Sequence, residues 1–255
     1  MAATAKANAN IALVKYWGKR DSELNLPMNS SISITLDKLS TTTTVELNPV
    51  LTHDIVILDN LVLETSSIQY KRISKHLDLF RNKTSHKAKV TTSNNFPTGS
   101  GLASSSSGFA ALTIAAAKAY NLRLDKKTLS IIARQGSGSA SRSIHGGFVE
   151  WHKGTKDDGS DSFAAQIEPA SHWPELSVLV CIVDQKSKTV SSRVGMEQTV
   201  KTSPFYQSWL DTIETDLQNM RDSIKNKDFE LLGKTAEHNC LKMHGTMQTT
   251  NPPII

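Results

Sequence analysis

The chain has 255 residues, 38% of them hydrophobic, and a formal charge of +5 from 29 basic and 24 acidic side chains. That is enough apolar material for one large or two smaller domains, and the 21% charged fraction excludes wholesale disorder. No Lys/Arg stripe interleaves with aromatics, which argues against a nucleic-acid reader, and the mild positive excess suits an anionic small molecule.

The N-terminus MAATAKANANIALVKYW has no long apolar run, so no signal peptide is expected, and no stretch approaches a membrane span. Residues 11–16 predict a short strand. Residues 31–36 alternate polar and apolar, and 41–47, rich in Thr and Val, read as the hairpin partner. Two more short strands are expected in 56–63, around the turn signal Asp59-Asn60. The spacing of Ile68, Ile73, Leu77 and Phe80 predicts an amphipathic helix over 68–80, and 88–93 reads as a strand. A helix apolar nearly all round, and so buried, is expected over 104–120. Asp125 caps another over 127–134. Residues 146–151 turn into a strand, 153–162 form a polar loop, and 176–183 read as a strongly apolar strand. Two helices with charged faces follow, over 203–224 and 229–241. Early strands and later helices predict an α+β protein of two lobes, 1–170 and 171–255.

Four segments carry chemistry. Residues 97–108, Pro-Thr-Gly-Ser-Gly-Leu-Ala-Ser-Ser-Ser-Ser-Gly, put two glycines and four hydroxyls at the start of a helix. Free N–H groups and the helix dipole make such a junction an anion site. An ordinary cap uses one hydroxyl, not four. No Gly-Lys-Ser/Thr closes the loop, so it is not a Walker A motif. Gly233-Lys-Thr235 has Asp228 where the first glycine of that motif belongs. Residues 135–147 alternate Ser137, Ser139 and Ser141 before Arg142, whose planar fork suits carboxylate or phosphate; a solvent loop reads the same way. Lys15, Lys19 and Arg20 follow an apolar strand beside Tyr16 and Trp17, as a second anion site or a surface rim. Residues 186–196 add more hydroxyls and cations. Cys181 and Cys240 form no CxxC pair and read as reduced thiols in a cytoplasmic protein; no histidine falls into a metal pattern, and His244 reads as structural.

Together these segments resemble the GHMP kinase superfamily, and more narrowly the mevalonate diphosphate decarboxylase family. The resemblance rests on Lys15-Tyr-Trp-Gly-Lys19, residues 25–36, the loop at 95–108, Gly136-Ser-Gly-Ser-Ala-Ser-Arg142, residues 190–196 and residues 237–244, and it covers essentially the whole chain. It implies a ribosomal protein S5 domain 2-like N-terminal lobe and a ferredoxin-like C-terminal lobe. It also implies ATP with Mg²⁺, mevalonate 5-diphosphate as substrate and isopentenyl diphosphate as product, in a cytoplasmic homodimer that binds neither nucleic acid nor membrane. By the family pattern Tyr16, Trp17, Gly18, Lys19 and Arg193 hold the substrate diphosphate, and Arg72 joins them. Ser137, Gly138, Ser139, Ala140, Ser141 and Arg142 hold the carboxylate end. Asn95, Pro97, Gly99, Gly101, Ser104, Ser105 and Ser106 face the nucleotide. Lys19, Ser105 and Arg142 take the catalytic roles; metal ligands are not assigned.

The resemblance also implies some tens of residues beyond Ile255, carrying an Asp in an Asp-Ala-Gly-Pro-Asn-like motif as base for the 3-hydroxyl. Asp157-Asp-Gly159 lacks that context, so the C-terminal lobe is expected to be truncated. The competing readings are a mevalonate 3-kinase, a phosphomevalonate decarboxylase, and a catalytically silent binding fragment.

Overall fold

The structure, a computed structural model, describes residues 1–81, 86–96, 104–181 and 190–255. The chain opens with a long strand, β1 (Ala2–Val14), and a small hairpin, β2 (Lys19–Asp21) and β3 (Leu26–Pro27). The central strand β4 (Ser31–Asn48) follows, then β5 (Ile55–Leu58) and β6 (Leu61–Val62), helix α1 (Ile68–Asp78) and β7 (Lys87–Asn94). Helices α2 (Ser104–Ala119) and α3 (Lys126–Gly136) lead through a 3₁₀ segment, Gly138–Ile144, to β8 (Phe148–Trp151) and β9 (Ala164–Glu168). Four helices complete the described residues: α4 (Ser192–Thr202), α5 (Tyr206–Asp211), α6 (Ile213–Asn226) and α7 (Phe229–Gln248).

The main sheet is mixed, in the order β6-β5-β7-β4-β8-β9, with β1 also on β4. Its order is set by β4, which pairs antiparallel with β1, β7 and β8. Residues 31–36 and 41–47 are therefore not two arms of a hairpin but one strand. Between the pairs Asn10↔Thr35 and Asn8↔Ser40 the register shifts, so that 36–39 bulge outward against Ala9 and the strand continues. The turn at Asp59-Asn60 does form, with φ of 47° and 68°, in the left-handed region that these residue types tolerate.

Two hydrophobic cores flank this sheet. On one side Val45, Val56 and Val90 meet Leu77, Phe80, Phe109 and the alanines of α2. Those alanines let α2 lie close to β1 and β4, and a buried Phe or Leu contributes about 1.5–3 kcal/mol. On the other side Val14, Ile32, Ile34 and Phe148 meet Trp209, Leu217, Met220, Ile224 and Met243. Asp125 accepts from Thr128 N and caps α3 as expected.

Three further expectations are corrected. Residues 176–181, the described part of the apolar run 176–183, form no strand: Leu179 is 89% exposed and no described strand lies beside it. The helix expected over 203–224 is two, because the chain bends at Thr212 between α5 and α6. Residues 186–196 read only as hydroxyls and cations, yet Ser192–Thr202 forms α4, capped by the Ser191 side chain.

Candidate active site

The end of β1, the β2–β3 hairpin, the start of α4 and the α3–3₁₀ junction converge on one region. The Lys15 backbone is fixed twice: its N–H donates to Asn239 Oδ1 (2.8 Å) and its carbonyl accepts from Asn29 Nδ2 (2.8 Å). Tyr16 then packs edge-on against Trp151 at 4.7 Å, while Trp17 Nε1 donates to Thr199 Oγ1 (3.0 Å). Gly18 has φ of +100° and lies under Tyr206, whose hydroxyl donates to the Trp17 carbonyl (2.8 Å); a Cβ there would fall 1.8 Å from that hydroxyl. Gly138 is closely packed too, because its Cβ would stand 2.9 Å from both Tyr16 and Trp151.

The Tyr16 hydroxyl is buried with no hydrogen-bond partner among the described residues. Burial pushes its ionisation up, against the pull of Arg142 and Arg193. Lys19 Nζ donates to Asn25 Oδ1 (2.5 Å), and burial, with Arg193 and Arg72 nearby, pushes the ammonium down to about 8. Arg72 donates to the Gly136 carbonyl (2.9 Å), lies 5.0 Å from the Phe109 ring centroid, and is lowered by burial and by Arg193. Burial and neighbouring guanidiniums lower both Lys19 and Arg72, and cations gathered this closely suit an anion. A cleft of about 320 Å³ is lined there by Arg72, Lys75, Gln135, Gly136 and Arg193, together with Ser22, Glu23, His76 and Leu79. Arg193 itself is exposed, in the first turn of α4.

Arg142 lies deeper. Its Nε and Nη2 donate to Asn10 Oδ1 (both 3.2 Å) and its Nη1 to Ser31 Oγ (2.5 Å), and burial pushes it down to about 10. Each Nη carries a second N–H. Asn10 also donates to Ser106 Oγ (2.6 Å), Ser143 Oγ (2.8 Å) and the Ser139 carbonyl (3.2 Å). One buried amide thus joins Arg142 to the start of α2. In the sequence Asn10 carries no sign of this role beyond being an Asn next to the apolar stretch 11–14.

The remaining expected residues divide. Ser105 is exposed and lies 3.2 Å from the half-buried Ser137 Oγ, which in turn is 3.5 Å from Ser139 Oγ, so these three hydroxyls form one row that reaches solvent at Ser105. Ser106 is turned inward to Asn10 and Ser143, Ser141 donates to the Gly138 carbonyl (2.8 Å), and Ala140 is in the core. Asn95 lies apart: its side chain accepts from Ser40 N and donates to the Lys38 carbonyl, holding the β4 bulge. Pro97, Gly99 and Gly101 lie outside the described residues. A second pocket, of about 200 Å³, is lined by apolar Leu58, Ile73, Val90, Phe109 and Leu112 at one set of positions and by Ser104 and Ser105 at another. Arg72 lines this pocket as well as the cationic cleft.

Comparison with known proteins places the chain. A family model described as the diphosphomevalonate decarboxylase-like N-terminal domain matches residues 7–164, and one described as the mevalonate 5-diphosphate decarboxylase C-terminal domain matches 178–255. The diphosphomevalonate decarboxylases of Ganoderma lucidum and Homo sapiens are 41% and 40% identical over 99% of this chain, which spans 67% and 66% of their lengths. A mevalonate diphosphate decarboxylase structure from Staphylococcus aureus superposes with a TM-score of 0.91 at 45% identity, over 99% of this chain and 76% of that one. A structure described as MDDEF in complex with MVAPP, AMPPCP and magnesium gives 0.89 at 44%, over 99% and 77%. Among the described residues no helix is long and apolar enough to cross a membrane. With both family models matched and such identity along nearly its whole length, the chain belongs to the diphosphomevalonate decarboxylase family.

Proposed function

We propose that this chain performs its family's reaction, the ATP-dependent decarboxylation of mevalonate 5-diphosphate to isopentenyl diphosphate, ADP, phosphate and carbon dioxide. One observation carries this reading: Arg72 lines both a cationic cleft and a part-apolar, part-hydroxyl pocket, so two anionic ligands can meet beside one guanidinium. The cleft lined by Arg72 and Arg193, with Lys19 close enough to feel both charges, is read as the diphosphate site, and the buried Tyr16 hydroxyl offers a hydrogen bond that no described residue takes. Arg142, anchored by Asn10 and Ser31, keeps N–H groups for the carboxylate. The apolar pocket suits a nucleotide base, and the hydroxyls of Ser104 and Ser105 at the start of α2 suit its phosphates. Magnesium is usually held through substrate phosphates and one or two side chains, so this hydroxyl set fits it; when bound, it neutralises developing phosphate charge.

In this reading the protein's own work is placement and electrostatics. Preset cations stabilise charge as the 3-hydroxyl is phosphorylated and the phosphate departs, and the buried walls around Tyr16, Trp151 and Arg142 keep water from the centre that follows. The same reading gives a lobe boundary near residue 170, a homodimer and a cytoplasmic location, the last supported by two free thiols that suit a reducing compartment. The test is turnover of mevalonate 5-diphosphate with ATP and Mg²⁺, following carbon dioxide and ADP together. Phosphate transfer without carbon dioxide would make it a kinase, and preference for the monophosphate would overturn the diphosphate assignment.

A further inference from the structure

The hairpin that carries Lys19 holds a second polar residue, on the far side of its turn. Asn25 is 1% exposed and has φ of 53°. Its Oδ1 accepts the 2.5 Å hydrogen bond from Lys19 Nζ, and its Nδ2 donates to the carbonyls of Arg134 (3.1 Å) and Gln135 (2.8 Å). Those carbonyls belong to the last turn of α3, where helix acceptors lack an intrahelical donor. The amide therefore satisfies the end of a rigid helix with one face and holds a mobile ammonium with the other. The backbone beneath it is fixed too. Arg134 Nε donates to the Leu24 carbonyl (3.0 Å) and its Nη1 to the Gly159 carbonyl (2.7 Å), while Asp21 Oδ1 accepts from Leu24 N (2.7 Å).

A lysine ammonium is a point charge on a flexible stem, and an anion that recruits it must first order it. A neutral acceptor removes that freedom beforehand and leaves the charge intact. A carboxylate at the same place would form an ion pair and compete with the incoming phosphate. We propose that Asn25 is a positioning residue for substrate binding: it tethers the Lys19 ammonium to α3 so that a diphosphate entering beside Arg72 and Arg193 meets a cation already in place. The proposal rests on the reading of that cleft as the diphosphate site.

Two substitutions separate tether from charge. Asn25→Gly keeps the left-handed backbone and removes the acceptor. Asn25→Asp keeps size and geometry and adds charge. In steady-state kinetics Asn25→Gly is expected to raise KM for mevalonate 5-diphosphate roughly tenfold, and to weaken competition by inorganic pyrophosphate as much, with kcat and KM for ATP little changed. Asn25→Asp is expected to weaken pyrophosphate further at pH 7 and to move the loss of binding, which in the parent follows Lys19 deprotonation near 8, to higher pH. The other charged groups acting on Lys19, Arg72 on α1 and Arg193 and Glu197 on α4, are the same in every variant. In a Lys19→Met background Asn25→Gly should have no further effect on pyrophosphate affinity. A purely structural Asn25 would instead depress kcat and raise both KM values together, leave the pH profile in place, and add its loss to that of Lys19→Met; that pattern overturns the proposal. If Lys19→Met alone leaves pyrophosphate affinity unchanged, the reading of the cleft fails first. If Lys19→Met weakens binding and both Asn25 variants bind like the parent, the cleft stands and the tether is refuted.

Discussion

A buried hydroxyl without a partner, such as that of Tyr16, weakens a free protein by about 1–3 kcal/mol. Tyr16→Phe should therefore melt at the same temperature as the parent or higher, while binding mevalonate 5-diphosphate roughly tenfold more weakly; calorimetry and ligand titration read the two halves. A fall in both would mean the hydroxyl serves the fold. Arg142→Lys keeps a charge but loses the fork that Asn10 and Ser31 engage. Its kcat/KM should drop by about 10² or more with nucleotide affinity nearly intact, checked by kinetics and nucleotide titration. Arg142 draws notice in the sequence through its glycine- and serine-rich setting, where a solvent loop reads the same way; its burial against Asn10 and Ser31 is what the fold adds. Asn10 does not, since a polar residue in a strand ordinarily reads as facing water. Only the meeting of β1 with Ser106 and Ser143, far along the chain, turns it inward.

Among the elements, the helices of the first half were readable: residue spacing announces α1, the cap Asp125 announces α3, and α2 follows from its alanines. What failed was the relation between segments. Strands 31–36 and 41–47 were found but misjoined, because nothing local distinguishes a four-residue bulge from a hairpin turn; pairing with β1 decides it. Helix α4 was hidden because hydroxyls and cations dominate 186–196 and its apolar contacts, Met196 with the second core, are few. The α6–α7 pair carries its own device. Lys242 Nζ donates to Asp216 Oδ2 (2.6 Å), Asn239 Nδ2 donates to the same oxygen (2.7 Å), and Asn239 accepts from Lys15 N. Lys242→Met leaves a mostly buried carboxylate without its cation and should destabilise by about 3 kcal/mol in chemical denaturation. Because Asn239 ends on Lys15, the variant should also raise KM for the substrate.

For the whole molecule, two buried groups contribute to the response to acid. The Thr113 hydroxyl donates to the Phe109 carbonyl (2.7 Å), so the 2.8 Å contact with His76 Nε2 has the imidazole as donor. Burial, with a smaller push from Arg72, lowers His76 from 6.5 to about 3. A group whose pKa is lower folded than unfolded stabilises fully above its unfolded value, so this contribution is present above pH 6.5 and drains away as pH falls to 3. Burial alone would raise Glu150, but Arg221 and His152 outweigh it and hold it at about 2, so its share is lost later, between 4.5 and 2. Urea denaturation across pH should show both losses, and His76→Phe should flatten the curve between 6.5 and 3 only. A last consequence follows from β4 serving both cores. Its first half pairs with β8, Ser31 with Trp151, while its second half pairs with β7, Thr41 with Asn94. At a synthesis rate of about 5–20 residues per second, the segment Ser31–Ile34 waits roughly ten seconds on the ribosome for its partner strand. For that interval one flank of an apolar strand lies open to other nascent chains, so slowing translation between β4 and β8 should lower the soluble yield without changing the protein's final stability.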